Sequence, residues 1–314
     1  MSVLEGPRRE IRRVLLNGGA QWCTPDGDSL VLGDGRRIEE ATATYLPPVT
    51  APSKVLCVHL NYVSRATEFG NDLEGKTPTY FTKPPSSLSG HRGELVRPGG
   101  TQWLNYEGEI AAVVGRPMRN VATDDVWEHL AGFAPSNDVG CHDFRDTDSG
   151  SMLRVKGMDT FCPIGPGLVS GVDVRQSTLR TYINGNVVQE GKVSEMVWGI
   201  DYLLADLCRY ITLEAGDIIL TGTPWRSRPM ADGDVVEVEI DGLGRITNTV
   251  VRGEEPAHGV GHRPTNSKQV RAVALGKDYH RMKADGLDLD FDDYLAVRDS
   301  YREIGNTEGP ARSV

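Results

Sequence analysis

The chain has 314 residues and a formal net charge of −10 at pH 7. That is room for one large domain, or one domain with appendages, around a sizeable core. The acidic balance argues against nucleic acid or an anionic membrane as a partner, and an anionic substrate would need cationic groups or a metal at its site. The five cysteines, Cys23, Cys57, Cys141, Cys162 and Cys208, are scattered with no Cys-x-x-Cys pair, so neither a zinc knuckle nor a disulfide framework is supported. No stretch has the length of a signal segment or a bilayer span, and the expected location is the cytoplasm.

Residues 1–52 read as a small β subdomain. The apolar runs IRRVLL and SLVL are punctuated by Asp-Gly at 26–27 and 34–35, a hairpin signal, and YLPPVTAPSK is a proline-rich exit. Residues 54–60 predict a buried strand, followed by a short exposed helix closing at Gly70 and a loop-rich stretch over 71–100. TDDVWEHLAGF reads as a helix capped by Thr123 or Asp124. Residues 137–167 are polar and glycine-rich, a loop of a length that usually carries function. From Leu179 the pattern is strand, an Asn184-Gly185 turn, and strand. Ser194 then caps a helix with Val197, Ile200, Leu204, Leu207 and Ile211 on one stripe. Short strands joined by Gly-Asp turns complete a segment running from 53 to 253. Residues 254–314 form a linker and a tail with two polar helices over 267–305. The acidic DGLDLDFDD in that tail lacks the glycine and glutamate of a calcium loop. The expected fold class is mainly β with α (α+β), a mixed β roll.

The stretch with most chemistry in it is LNYEGEIAAVVG, residues 104–115. Glu107 and Glu109 lie two apart at the start of an apolar run, so on a strand both carboxylates project from one face. Buried together they need a cation, a proton or strong donors. Asp138, in a loop punctuated by Gly and Pro, could add a third oxygen, and three carboxylates without a nearby cysteine favour Mg²⁺ or Mn²⁺. The alternative is an edge strand whose Glu-x-Glu faces water.

Eight segments in order resemble the fumarylacetoacetate hydrolase superfamily: LNY…ATEFG, FTKPPSSLSG, NYEGEIAAVVGR, GFAPSND, KGMDTFCPIGP, LRTYINGNVVQEG, LEAGDIILTGTP and DGDVVEVEIDGLG. The run GHRGELVRP, NYEGE and HDFRDTDSGSMLRVKG is most similar to the branch of 2-hydroxyhepta-2,4-diene-1,7-dioate isomerases and 5-oxopent-3-ene-1,2,5-tricarboxylate decarboxylases, which act in aromatic-compound catabolism. The resemblance implies that Glu107, Glu109 and Asp138 bind Mg²⁺ or Mn²⁺ and that the reaction passes through an enolate held by that cation. It implies Lys156 as an active-site lysine, Thr223 closing over substrate, and a homodimer. The substrate so implied is an oxo-dicarboxylate.

Two departures from the family pattern matter. Hydrolytic members carry a His-Glu pair in the segment after Asn-Tyr. Here Glu68 is kept, but Arg65 replaces the histidine, and a guanidinium with a pKa above ~12 cannot act as a base. Arg65 is therefore read as a clamp for a second carboxylate of the substrate, or else as a partner of Glu68 on a mobile loop. Beyond Asp138 the hydrolases place Arg and Gln; this chain has His142 and Arg145, read as a proton donor or acceptor and an anion contact. Lys83 is either structural or at the pocket mouth, and His91 stays outside the catalytic set. The leading expectation is a metal-dependent decarboxylase or isomerase. Its rivals are an acylpyruvate-type C–C hydrolase or oxaloacetate decarboxylase, and a non-catalytic oxoacid-binding protein. No Walker-type phosphate loop or Gly-x-Ser-x-Gly elbow occurs.

Overall fold

The computed structural model describes residues 2–148 and 150–305. The run Ile110–Val114 has small and β-branched side chains in both alternating sets, as suits a strand covered on both faces. It forms the strand Gly108–Val114, every residue of which is buried. Ile110, Ala112 and Val114 enter one apolar cluster, and Ala111 and Val113 another. The strand lies inside an 11-stranded sheet, between Leu130–Asn137 and Ile218–Leu220. The water-facing edge strand is thereby ruled out.

Beyond Ile218–Leu220 the sheet continues through Val55–Val58 to Tyr80–Lys83. On the other side it passes through Gly167–Ser170 to Arg9–Leu16 and the N-terminal hairpins. Those hairpins enclose a cluster of their own, with Val14, Cys23, Leu30, Leu32 and Tyr45. A second sheet of five strands orders Asn186–Lys192, Thr178–Ile183, Val235–Ile240, Gly244–Arg252 and Glu94–Arg97. Alternating burial along Thr178–Ile183 and Val235–Ile240 shows that one of its faces packs inward. The sheets meet at Gly108, where a Cβ would fall 2.2 Å from Thr181 Oγ1, so only glycine lets them approach. Pairing is mostly antiparallel, with parallel joins between Ile218–Leu220 and Val55–Val58 and between Gly244–Arg252 and Glu94–Arg97. This is the mixed, mainly β architecture with helices that the pattern predicted.

Several local expectations give way to tertiary packing. The helix Val63–Glu68 is not an exposed one, because Arg65, Ala66 and Glu68 are buried. The predicted helix over 123–133 is a short 3₁₀ turn, Val126–His129, leading into the strand Leu130–Asn137. Its Leu130, Gly132 and Phe133 are claimed by the sheet, which overrides helical propensity. Asp138 lies, as expected, outside regular structure, but in the two-residue link that follows this strand. Ser194 falls within a separate 3₁₀ turn, and the next helix is Ile200–Cys208, with Gly199 before it and Ile211 exposed beyond it. The tail holds three helices, Lys268–Leu275, Lys277–Ala284 and Phe291–Gly305, which pack with Trp103 around an apolar cluster. All five cysteines are free and buried. Among the described residues no helix is long and apolar enough to cross a membrane.

Phe133 is fully buried where the large sheet faces the second one. Phe133→Ala is expected to cost about 3–5 kcal/mol by transfer and cavity terms together. The expected readout is a lower urea midpoint with an unchanged slope.

Candidate active site

Strand pairing explains how carboxylates far apart in sequence meet. The register sets Gly108 opposite Asn137, which brings Asp138 beside Glu107. The Asp138 N–H donates to the Glu107 carbonyl at 2.8 Å, and the Glu107 N–H donates to Asn137 Oδ1 at 2.7 Å. Glu107 and Glu109, two apart on extended chain, lie on the same side. One carboxylate oxygen from each of Glu107, Glu109 and Asp138 lies within 4.8 Å of the other two, and all three residues are buried.

Cations from three other elements surround the trio. Lys156, ending the one-turn helix Leu153–Lys156, donates to Glu107 Oε2 at 2.7 Å, to Asp138 Oδ2 at 3.0 Å and to the Asp138 carbonyl at 2.8 Å. Lys83, ending the strand Tyr80–Lys83, bonds to Asp138 Oδ1 and to the Val139 carbonyl. Arg65 donates to Glu107 Oε1 at 3.2 Å and to Glu68 Oε2 at 2.7 Å. Burial would push Glu107 up, but Lys156 and Arg65 outweigh it and hold its carboxyl below the ordinary value. Burial lowers the Lys156 ammonium, and Asp138 and Glu107 more than reverse this, so it stays protonated.

Glu109 differs. Its hydrogen-bond donor is the Gly222 N–H, at 2.7 Å from Oε2. Burial first, then Asp138 and Glu107, drive its carboxyl well above the ordinary range. A buried carboxylate trio with one member short of positive charge fits a hard divalent cation, whose ligands would be Glu107, Glu109 and Asp138.

Beside the trio is a cavity of about 380 Å³ lined by Arg65, Phe69, Phe81, Glu107, Asp138, His142, Arg145 and Lys156, among others. His142 opens a 3₁₀ turn whose backbone is pinned to the Trp103 carbonyl at 2.8 Å. Neither of its ring nitrogens has a hydrogen-bond partner among the described residues, although the ring is buried. Burial, with Arg145, Lys156 and Arg65 nearby, pulls the imidazole well below its ordinary value, so it is neutral at pH 7. Arg145 touches Met152 Sδ at 3.9 Å and has no carboxylate partner among the described residues.

Of the residues singled out in the sequence, Arg65, Glu107, Asp138, His142, Arg145 and Lys156 line this cavity. Glu109 completes the trio from beneath. Glu68 does not face the cavity; it lies between Arg65 and Arg228, each 2.7 Å away. Burial raises its carboxyl, but Arg228 and Arg65 prevail and bring it down to about 2. Thr223 Oγ1 accepts a hydrogen bond from Gln189 Nε2 at 3.1 Å. His91 is structural: its Nδ1 accepts from the Thr247 N–H at 3.0 Å, and its ring meets Tyr45 edge-on. Sequence reasoning did not find Arg228 or Asp278, which carry no motif, and it passed over Gln189 and left Lys83 open although their segments LRTYINGNVVQEG and FTKP were in view.

The family model for fumarylacetoacetate (FAA) hydrolase C-terminal matches residues 54–251. A human mitochondrial oxaloacetate tautomerase is 38% identical over 225 residues, 68% of this chain and 71% of that protein. A 4-hydroxyphenylacetate degradation bifunctional isomerase/decarboxylase from Salmonella dublin is 34% identical over 211 residues, 66% of this chain and 49% of that protein. The crystal structure of 5-carboxymethyl-2-hydroxymuconate delta-isomerase from Mycobacterium smegmatis superposes with a TM-score of 0.71 at 34% identity, covering 78% of this chain and all of that one.

Burial and the neighbouring carboxylates hold the Glu109 carboxyl above its ordinary range, so a cation there competes with protons, Mn²⁺ affinity should rise with pH and binding should release protons. Calorimetry in buffers of different ionisation enthalpy reads both. Glu109→Gln should end the proton release and weaken binding by more than the roughly 10–100-fold typical of an outer partner. Glu68 has a depressed folded pKa, so its stabilisation is present above the ordinary carboxyl value and fades as pH falls toward 2. Glu68→Gln should cost about 3–5 kcal/mol at pH 7 by leaving two guanidinium groups short of charge. That gap in urea midpoints should narrow between pH 5 and 3.

Proposed function

The chain belongs to the fumarylacetoacetate hydrolase family, and from that premise we propose that it is a divalent-metal-dependent isomerase or decarboxylase. Its substrate would be a 2-oxo or 2-hydroxydienoic dicarboxylic acid from aromatic-compound catabolism, and its intermediate an enolate. The observation that carries this reading is the lining of the cavity, which brings Glu107, Asp138 and Lys156 together with the neutral His142 and with Arg145, a guanidinium that has no carboxylate partner among the described residues. When bound, the cation would supply an electrophile for the 2-oxo acid end of the substrate. Lys156, protonated and anchored on Glu107 and Asp138, adds a positive donor toward the oxygen on which negative charge develops. Arg145 takes the distal carboxylate.

His142 moves the proton. In isomerisation a ring nitrogen accepts a proton from the carbon next to the oxo group, and the C–H electrons pass into the enolate. The same nitrogen returns the proton further along the conjugated chain. In decarboxylation the C–C electrons enter the enolate as CO₂ leaves, and a proton drawn from solvent through the His142 ring quenches the carbon. Phe69 and Phe81 wall the cavity and limit water. Glu68, with its carboxyl near 2, remains an anion that holds Arg65 in place. Arg65 is engaged by two carboxylates, so the role of distal clamp passes to Arg145.

Keto–enol tautomerisation of oxaloacetate is the second reading, favoured by the human relative and needing the same proton transfer. A dienol chromophore assay with CO₂ detection separates the two. Loss of dienol with CO₂ marks decarboxylation; loss of enol absorbance without CO₂ marks proton transfer alone. Cleavage into two acids would instead restore hydrolysis.

Arg145→Gln removes a charged hydrogen bond worth about 1.5–3 kcal/mol, so KM for dicarboxylates should rise roughly 10–150-fold. KM for a monocarboxylic 2-oxo acid should stay nearly unchanged. Equal rises for both classes would remove Arg145 from the distal site.

A further inference from the structure

The family match ends at residue 251, yet the helices beyond it reach the site through a run of buried opposite charges. Arg65 donates to Glu107 at 3.2 Å and to Glu68 at 2.7 Å. Arg228 Nη1 lies 2.7 Å from the other oxygen of Glu68, and its Nε donates to Asp278 Oδ2 at 2.7 Å. All five side chains are buried. Asp278 belongs to the tail helix Lys277–Ala284.

A separate observation places the tail backbone on the same ion pair. Gly276 turns between two tail helices at φ +53, and a Cβ there would fall 2.7 Å from Glu68 Oε1 and 2.8 Å from Arg228 Nη1. Val273, from the same segment, lines the cavity. Further along the tail, Tyr301 and Arg302 accept hydrogen bonds from Arg226 through their carbonyls, while the Arg226 N–H donates to Glu68 at 3.1 Å. The tail therefore meets both the helix Val63–Glu68 and the loop after Thr223.

Charge decides what Asp278 does. With it, two guanidinium groups are matched by three carboxylates: Glu107, Glu68 and Asp278. Without it, Arg228 keeps Glu68 alone, draws it away from Arg65, and repels Arg65 across the shared carboxylate. Arg65 is the residue that ties Val63–Glu68 to Glu107. We propose that Asp278 is a positioning residue, through which the C-terminal helices hold Arg65 and the Val63–Glu68 helix closed against the cavity. The kinetic consequence rests on the functional reading above; the mechanical one does not.

The test uses the full chain. In Asp278→Asn, backbone amide exchange in peptides covering 63–71 should quicken about tenfold or more while the strands of the large sheet stay protected. KM for a dicarboxylic 2-oxo acid should rise about fivefold or more, with kcat within about twofold, because an interaction shared by ground and transition states is weakened. Asp278→Glu should recover both. Gly276→Ala should reproduce the exchange change, since its Cβ pushes the tail off the Glu68–Arg228 pair. If Asp278→Asn fails to fold, Gly276→Ala carries the exchange measurement by itself. Unchanged exchange at 63–71 in a folded variant would overturn the proposal, as would equal quickening throughout the chain. A wild-type protein inactive on every oxoacid would count against the proposed reaction, while the exchange result would still decide the role of the tail.

Discussion

Three carboxylates buried at the end of one strand pair are the constraint around which this molecule is arranged. Each costs several kcal/mol to bring out of water unless positive charge or donors meet it. The fold sends Lys83 from the far sheet edge, Lys156 from the irregular segment and Arg65 from a short helix to meet them. Compensation is uneven: Glu107 and Asp138 are paired, whereas Glu109 has a backbone N–H. The local deficit of positive charge at Glu109 is what makes the cluster a receptor for a cation rather than a finished structural ion network.

The core of this arrangement was readable because strand periodicity is rigid. Glu107 and Glu109 two apart before an apolar run must share a face, and a buried run cannot leave them in water. Asp138 was readable as a candidate ligand in a loop, but the strand that leads to it was not, because Gly132 and Pro135 look like loop residues when the partner strand is unknown. The sheet makes a strand of Leu130–Asn137 by supplying that partner. The same blindness to partners hid the burial of Arg65 and Glu68, which face each other rather than solvent. Arg228 and Asp278 were invisible for a stronger reason. Their meaning lies in a contact across fifty positions of chain, and neither sits in a motif.

The guanidinium of Arg65 has effects that spread outward. A fixed positive charge in a buried place requires fixed negative charge, and Glu68 supplies it only by remaining ionised. Arg228 supports that ionisation from the opposite side and needs Asp278 in its turn. Arg65 thus opens an alternating run of charges that ends outside the family-matched segment. Within the run, Glu68 and Glu107 are held below the ordinary carboxyl range and the bases are guanidinium groups, which do not exchange protons near neutral pH.

In the proposed reaction, proton transfer then falls to a group outside the network. His142 is buried, carries no net charge at pH 7, and offers two unpartnered ring nitrogens to the cavity. The positive charges around it, Arg145, Lys156 and Arg65, oppose a second charge on the ring, so a proton accepted there is readily given back. An enolate forming nearby changes the balance, because negative charge on the substrate stabilises the imidazolium while it lasts. The site therefore favours a proton that leaves carbon and returns to carbon over one passed to bulk water. This is the physical content of reading it as an isomerase-like centre rather than a hydrolytic one.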